Sequence, residues 1–195
     1  MNKLNIGCGN VLLKEYLNCD KYYYPGSLAP LNDNALADSW NQEHPDSSWI
    51  QADAKELPYQ SDYFDEVLMV HVIEHLSMED GNRAVKEAAR VCKPGGFVEI
   101  ETPDLIVACK LMIETDKEVD SQHWYRVMGL LHGTTGMDGE GQFHLCGYSE
   151  NYLRKVMTDH NLINIERIPV GFGHGNNGEG HPEPQYDFRL RGYKK

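Results

Sequence analysis

Leu4-Asn5-Ile6-Gly7-Cys8-Gly9-Asn10 is a short apolar strand that runs straight into a Gly-x-Gly turn. Two glycines one residue apart let the backbone turn sharply and approach a ligand more closely than a Cβ would allow. The stretch therefore predicts a nucleotide-type ligand at the end of the first strand. A dinucleotide site would need a third glycine three positions after Gly9, but Leu12 stands there, so a diphosphate cofactor is disfavoured.

The composition is that of one globular domain spanning residues 1–195. The 30 acidic residues outnumber the 18 basic ones and give a net charge of −12, whereas nucleic-acid-binding proteins carry a basic footprint. This balance argues against a nucleic-acid partner. The five cysteines are odd in number and form no Cys-x-x-Cys pair, which indicates reduced thiols and neither a disulfide framework nor a zinc ribbon.

We expect a cytoplasmic protein with no membrane segment. The chain enters its first strand too early for a signal peptide, and no apolar run reaches the ~18 residues of a membrane span. The sequence leaves the oligomeric state open.

Two further predicted strands end on a carboxylate, Tyr16–Asp20 and Trp49–Asp53. Ligands bind outside the carboxyl ends of parallel strands, so Asp20 is expected beside the glycine turn. A carboxylate there can accept hydrogen bonds from both hydroxyls of a ribose. The alternative is a solvated acid at a strand end.

Strands and helices alternate along the rest of the chain, which predicts an α/β fold with a mostly parallel sheet and right-handed crossovers. Ser77, Asp104 and Ser149 each precede an apolar helical pattern and are the expected N-caps. The last two strands, Leu162–Ile168 and Asp187–Tyr193, follow one another without a helix between them. They predict one antiparallel strand in the sheet.

Four stretches depart from this regular pattern. Val11–Tyr16 has room for only about one and a half helical turns, which shortens the first crossover. Residues 21–48 and 115–148 show no clean periodicity and are predicted to be insertions that cover a site. Residues 171–186 are rich in Gly and Pro and are expected to form a surface loop.

In order, these motifs resemble the class I S-adenosylmethionine-dependent methyltransferases, over roughly residues 3–113 and again from 142 to the end. The matching pieces are LNIGCGN, the acid of NCD, the QADA strand end, the YFDEV approach to strand four, HVIEHL, and ARVCKPGG before strand five. The pair Phe143-His144 before the last helix also resembles the branch of that family that modifies small molecules and glycans.

The resemblance implies a Rossmann-like, seven-stranded, mostly parallel sheet with an antiparallel last strand and helices on both faces. It also implies S-adenosylmethionine as the cofactor and S-adenosylhomocysteine as the product. Gly7, Cys8 and Gly9 would then pass under the methionine part of the cofactor. Asp20 would hold the ribose hydroxyls.

The same resemblance implies roles for residues after the third and fourth strands. Asp53 would accept the adenine amino group, the backbone of Ala54 would read the ring edge, and His71 would lie near the methionine or the transferring methyl. Nucleic-acid amino-methyltransferases of this family carry an Asn/Asp-Pro-Pro-aromatic signature after strand four, where this chain reads His-Val-Ile-Glu-His. Methylation of a base amino group is therefore disfavoured.

His71-x-x-Glu74-His75 also spells the H-x-x-E-H pattern of inverted zinc peptidases. Zinc ligation by that pattern needs both histidines on one face of a helix. Here the motif follows an apolar strand, and the helix start comes only at Ser77. We therefore expect no metal site and keep a zinc hydrolase as a remote alternative.

Methyl transfer requires an acceptor held at attack distance, exclusion of water and, for a hydroxyl acceptor, removal of a proton. Histidine suits the last task. The candidates are His75 and His144, with Glu74 behind them. The alternative for His75 is an ordinary hydrogen bond to the turn after strand four.

The acidic composition and the lack of a basic groove fit, by elimination, a small polar acceptor such as a sugar or another metabolite. An alternative to an enzyme is a binding protein. In that case the chain would be a non-catalytic cofactor-binding subunit that completes a partner enzyme. The shortened first crossover motivates it.

Overall fold

The computed structural model describes residues 2–9, 12–21, 48–117, 121–133, 143–170 and 186–195. These ranges contain seven strands, four α-helices and one 3₁₀ turn. In chain order the elements are β1 (Lys3–Ile6), β2 (Leu17–Asp20), β3 (Ser48–Gln51), β4 (Phe64–Val70), the 3₁₀ turn (Ile73–His75), α1 (Met78–Val91), β5 (Cys92–Pro103), α2 (Leu105–Lys117), α3 (Ser121–His132), α4 (Glu150–Asp159), β6 (Leu162–Ile168) and β7 (Asp187–Lys194). None of these helices is both long enough and apolar enough to cross a membrane.

The strands form one sheet in the order β3-β2-β1-β4-β5-β7-β6. Strands β1 to β5 pair in parallel, and β7 is antiparallel to both of its neighbours. The predicted fold class is therefore confirmed. The strand order reverses between β1 and β4, and ligands of such sheets bind in the crevice beyond the carboxyl ends at that point.

One face of the sheet is apolar and packs against α1 and α4. Side chains alternate between the two faces along a strand, so every second residue contributes to this core. Its members on the sheet include Leu4, Ile6, Cys19, Val67, Met69, Val98, Ile100, Phe188 and Leu190.

The opposite face of the sheet carries a buried polar row. Arg189 on β7 forms ion pairs with Glu99 and with Glu101 on β5. Arg191 donates from Nε to Oε1 of Glu99 at 2.7 Å. Glu99, Glu101 and Arg189 are at most 3% exposed, so their charges depend on one another for compensation.

All three predicted N-caps are confirmed. Amides of the first helical turns donate to the Ser77 hydroxyl at 3.1 Å, the Asp104 carboxylate at 2.9 Å and the Ser149 hydroxyl at 3.3 Å. Such caps satisfy helix donors that have no partner within the helix.

The shortened first crossover predicted at Val11–Tyr16 is confirmed for its described residues, 12–16, which form no helical turn. Residues 12–16 form a turn in which Glu15 has a φ of +68°. The side-chain amide of Asn18 accepts from the Leu13 N–H at 2.9 Å and donates to the Leu13 carbonyl at 3.1 Å. This local pairing replaces helical hydrogen bonds, so the described part of the first crossover is a turn without a helix.

Two other boundaries differ from the sequence predictions. Strand β3 ends at Gln51 instead of Asp53, because residues 53–56 close a turn with a hydrogen bond from the Glu56 amide to the Asp53 carbonyl. The region 115–148, expected to be irregular, contains helix α3. Val127 of that helix is fully buried, so tertiary packing stabilises a helix with a weak sequence signal.

Most of two predicted segments lies outside the described residues. These are the insertion at 21–48, of which Lys21 and Ser48 are described, and the loop at 171–186, of which Tyr186 is described.

Gly81 in α1 offers a test of the packing behind the 3₁₀ turn. A Cβ built on Gly81 would lie 2.2 Å from the hydroxyl oxygen of Tyr148, which is a rigid and buried ring. We expect Gly81→Ala to lower the free energy of unfolding by about 1–3 kcal/mol, although alanine is the better helix former. Urea denaturation measures this change.

Gly129 in α3 is the matched control. A Cβ there would meet nothing within 4 Å. Gly129→Ala is therefore expected to stabilise the protein by about 0.5–1 kcal/mol. Equal effects of the two substitutions would contradict the packing explanation.

Candidate active site

The glycine turn after β1 has the backbone that the Gly-x-Gly pattern predicts. Gly7 and Gly9 have φ values of +65° and +48°, in the left-handed region. The Gly9 amide donates to Oδ2 of Asp20 at 2.9 Å, and the Cys8 amide donates to the Cys19 carbonyl at 3.0 Å. The predicted position of Asp20 beside the turn is confirmed.

Gly7 is also required by close packing. A Cβ on Gly7 would lie 2.3 Å from Cγ2 of Val72, the second residue after β4. At Gly9, a Cβ would meet nothing within 4 Å. The turn is therefore packed against the end of β4 on one side and leaves open space beside Gly9.

Cys8 contributes its backbone to this turn, because its side chain is buried. Burial raises the pKa of the Cys8 thiol well above its usual value. A neutral buried thiol is a poor nucleophile, so covalent chemistry at Cys8 is not indicated.

Asp53 and Ala54 lie in the turn after β3. The Asp53 carboxylate accepts from the Lys55 amide at 3.0 Å and forms an ion pair with Lys21 at 3.0 Å. Burial acts to raise the pKa of Asp53, but these two partners outweigh it and lower that pKa below its usual value. Asp53 is therefore ionised at neutral pH, beside the buried Ala54.

His71 leaves β4 in a left-handed conformation with a φ of +51°. Its Nδ1 lies 3.1 Å from Oε1 of Glu74, and its Nε2 lies 3.6 Å from both Glu101 Oε1 and Asp187 Oδ2. Burial acts to lower the pKa of His71, but the three carboxylates outweigh it and raise that pKa to about 10. His71 is thus an imidazolium held among acids.

Glu74 connects the 3₁₀ turn to two other parts of the site. Its Oε2 accepts from the Thr102 hydroxyl at 3.1 Å, and its main-chain carbonyl accepts from the Leu145 and Cys146 amides at 2.8 and 3.1 Å. Burial acts to raise the pKa of Glu74, but the His71 imidazolium outweighs it and holds that pKa at about 2. Glu74 is therefore a buried carboxylate.

His75 and His144 come together from distant parts of the chain. Their ring centroids are 4.9 Å apart and the rings meet edge to face at 70°. Nδ1 of His75 lies 3.1 Å from the Phe143 carbonyl, and Nδ1 of His144 lies 3.0 Å from the Leu130 carbonyl. Burial lowers the pKa of His144.

A small pocket of about 50 Å³ opens beside this pair. It is mostly apolar, and its ionisable lining residues are Glu74, His144 and Cys146. Leu130 and Leu131 of α3 form part of the wall. Its volume is well below the ~300–1,000 Å³ of typical ligand pockets, so it has room for one group of a ligand and not for a whole ligand.

The two histidines of the H-x-x-E-H motif lie in different groups of side chains. His71 belongs to the carboxylate cluster, whereas His75 faces His144. Ile73–His75 form a single 3₁₀ turn, so the two motif histidines do not share a helix face. The geometry of an inverted zinc peptidase is absent from this part of the described chain.

Sequence reasoning missed Thr102, Glu101 and Asp187 as site residues. The alternation of acids with apolar residues in β5 and of arginines with apolar residues in β7 was a usable signal for a charged sheet face. Which strands are neighbours is not encoded in that alternation. The register that pairs Glu101 with Arg189 is a product of the sheet order.

Comparison with known proteins places this geometry in a family. The family model "Methyltransferase domain" matches residues 4–100, about half of the chain. A stretch of 52 residues, 26% of the chain, is 46% identical to the tRNA (carboxymethyluridine(34)-5-O)-methyltransferase of Arabidopsis thaliana. That match spans only 13% of the length of the plant protein.

Solved structures with little sequence identity share the fold. An S-adenosylmethionine-dependent methyltransferase from Methanosarcina mazei is 16% identical with a TM-score of 0.59, over 99% of this chain and 92% of that one. A Haloferax volcanii complex of the Trm112 methyltransferase activator with a methyltransferase gives 14% identity and a TM-score of 0.56, over 98% and 81% of the two chains.

The cofactor of such enzymes joins an adenosine to a methionine through a sulfonium. The residues at the sheet crevice fit such a group, because the left-handed turn leaves open space beside Gly9 and the buried Asp20 carboxylate stands next to it. Together with the strand order, the matching family model identifies residues 4–100 as a methyltransferase domain, and the sheet has the fold of S-adenosylmethionine-dependent methyltransferases.

Proposed function

We propose that this enzyme methylates a small polar acceptor, such as a sugar or another metabolite, of which one group enters the pocket beside Glu74 and His144. The observation that carries the proposal is that His144 lines an apolar pocket and its ring contacts that of His75. The net charge of −12 supports a small acceptor over a polyphosphate chain. The five free cysteines support a reducing, cytoplasmic location.

At the cofactor end, Gly7, Cys8 and Gly9 would line the methionine part, and Asp20 would accept the ribose hydroxyls. Asp20 is supported by its hydrogen bond from the Gly9 amide, which fixes the carboxylate at the turn. When bound, S-adenosylmethionine supplies an electrophilic methyl group on a sulfonium. The protein has only to orient it and keep water away.

After β3, Asp53 would accept the adenine amino group and the Ala54 backbone would read the ring edge. The lowered pKa of Asp53 supports this, because an ionised carboxylate is a pure acceptor. His71 is proposed as a positioning residue near the methionine. Its imidazolium holds Glu74, and its neighbour Val72 packs on Gly7.

At the acceptor end, His75 and His144 are proposed to contact the acceptor, with Glu74 behind them. Because a main-chain carbonyl only accepts hydrogen bonds, the Nδ1 of each ring carries the proton. Each Nε2 then keeps a lone pair that can take the proton of a hydroxyl acceptor. Helix α3 and residues 143–147 would cover the site, as predicted for the insertion at residues 115–148. The 195 residues would together form a single domain.

The acceptor and the cofactor can be tested in turn. Calorimetric titration with S-adenosylmethionine and S-adenosylhomocysteine, with and without a chelator, establishes the cofactor. Methyl transfer from labelled cofactor is then screened against sugar and metabolite fractions. Transfer to a small-molecule fraction supports the proposal, whereas transfer to macromolecules alone contradicts it.

His144→Ala is expected to lower the rate of methyl transfer about 10²-fold, the lower end of the range for a group that moves a proton. Affinity for S-adenosylmethionine should stay within a few-fold, because His144 lies at the acceptor end. Single-turnover kinetics and calorimetry measure the two effects. His160→Ala is the control, since His160 is half-buried and lies 3.0 Å from Asn82 outside the site. Unchanged turnover in His144→Ala would remove this residue from the mechanism.

A second candidate acceptor is tRNA, which is named for the Arabidopsis protein that shares 46% identity over 52 residues. The net charge of −12 argues against tRNA as the acceptor, because tRNA is itself negatively charged. Incubation with total tRNA and labelled cofactor distinguishes the two. Labelled tRNA would favour this alternative and overturn the small-acceptor proposal.

A partner chain is a further alternative, favoured by the similarity to a methyltransferase solved with the Trm112 activator. In that case the purified chain would bind the cofactor and methylate nothing alone. Copurification with a second protein that restores turnover would support it.

A further inference from the structure

Glu74, His75 and His144 bring two imidazoles and one carboxylate together at the pocket. One ring nitrogen from each histidine and one Glu74 oxygen all lie within 4.8 Å of one another. Two histidines and one carboxylate are a common ligand set for divalent transition metals, which keep open positions for water or substrate. This grouping was not foreseen from the sequence, because its third member comes from a distant segment.

One nitrogen of each ring is fixed by a hydrogen bond to a main-chain carbonyl. Histidine ligands usually donate their second ring N–H to a carbonyl or a carboxylate, which fixes the tautomer. Here the carbonyls of Phe143 and Leu130 receive the Nδ1–H groups at 3.1 and 3.0 Å. Both Nε2 atoms are therefore left as lone-pair donors toward a cation.

The carboxylate is held as firmly as the rings. Glu74 is 1% exposed and lies between the Thr102 hydroxyl and the His71 imidazolium, each at 3.1 Å. Each carboxylate oxygen can accept two bonds, so these contacts leave capacity for a metal ion. Hydrogen bonds on a ligating carboxylate are the support usually seen around protein metal sites.

The neighbouring group of His71, Glu101 and Asp187 also has a compact set of ligand atoms. Its cation is the His71 imidazolium itself, and Arg189 adds a second positive charge on Glu101. A metal ion there would meet two cations. In the group at the pocket, the His71 imidazolium contacts only Oε1 of Glu74, whereas Oε2 of Glu74 and the rings of His75 and His144 contact no cation among the described residues.

We propose that Glu74, His75 and His144 bind one divalent transition-metal ion at the mouth of the acceptor pocket. An oxygen of the acceptor would complete its coordination, and that part of the proposal rests on the proposed function. Metal binding and proton acceptance use the same Nε2 lone pairs, so they are alternative roles for the two histidines.

The test uses the full-length, untagged chain after treatment with a chelator and dialysis. Zn²⁺ binding is measured by calorimetry, and Co²⁺ binding by its visible absorption spectrum. We expect one ion per chain with a micromolar or tighter dissociation constant. His75→Ala and His144→Ala should each weaken Zn²⁺ binding at least about 10-fold, as loss of one of three ligands implies, whereas His160→Ala should leave it unchanged.

Absence of saturable binding would overturn the proposal, as would binding that survives the double variant His75→Ala/His144→Ala. Circular dichroism checks that the variants are folded, and the glutamine variants His75→Gln and His144→Gln replace any that are not. Titration of the same samples with S-adenosylhomocysteine separates the two claims. Metal binding without methylation of any acceptor would defeat the proposed function alone, and methylation without metal binding would defeat the metal site alone.

Discussion

Asp20→Ala is expected to weaken binding of S-adenosylmethionine by about 10²–10⁴-fold. A hydrogen bond to a charged group contributes ~1.5–3 kcal/mol, and two ribose hydroxyls would lose the same carboxylate. Asp20 is only 8% exposed and is held at the turn by the Gly9 amide, so no neighbouring rearrangement is needed before it binds. Calorimetric titration of the folded variant measures the loss.

A comparison of ligands makes this prediction specific. An S-adenosylhomocysteine analogue that lacks a ribose hydroxyl should bind the unmodified chain more weakly than the parent compound. The Asp20→Ala variant should bind the two alike. Asp65→Ala is the control, because Asp65 forms an ion pair with Lys93 at 2.9 Å at the other end of the sheet. If Asp20→Ala still discriminated between the two ligands, Asp20 would not be the ribose acceptor.

Arg189→Met should lower the free energy of unfolding by about 3–5 kcal/mol, the usual cost of breaking a buried ion pair by removing one partner. Arg189 is 2% exposed and pairs with Glu99 and Glu101, which are themselves buried. Without the guanidinium, both carboxylates would lose a cation inside the protein. Equilibrium denaturation in urea gives the change directly.

Arg191→Met is the matched control on the same strand. Arg191 also binds Glu99, but its side chain is 32% exposed, so water can replace the lost contact. We expect a loss of at most about 1 kcal/mol. Adding Glu99→Gln to Arg189→Met should recover part of the stability, since it removes a buried charge whose remaining partner is the partly exposed Arg191. Similar losses for the two arginines would refute the role of burial.

Local pattern was sufficient for much of the fold. The apolar runs, the caps at Ser77, Asp104 and Ser149 and the paired last strands are short-range signals, and the strands and helices they predicted are present. The glycine turn and Asp20 could also be placed, because the carboxyl ends of parallel strands meet at one edge of a sheet.

Helix boundaries in the weakly patterned regions were not predictable. The turn before β2 depends on the side chain of Asn18 pairing with the Leu13 backbone, which competes with a helix that is too short to persist. Helix α3 depends on burying Val127 against the rest of the molecule. In both cases contacts outside the local pattern decide the conformation.

The sequence by itself determined the fold class, the glycine turn and the acid beside it, since each follows from residues close together in the chain. Only the tertiary structure decided that His144 meets His75, that Glu74 binds His71 and Thr102, and that Arg189 lies between two buried acids. These contacts join strands and loops far apart in sequence. Their energies depend on burial, which no local pattern of residues records.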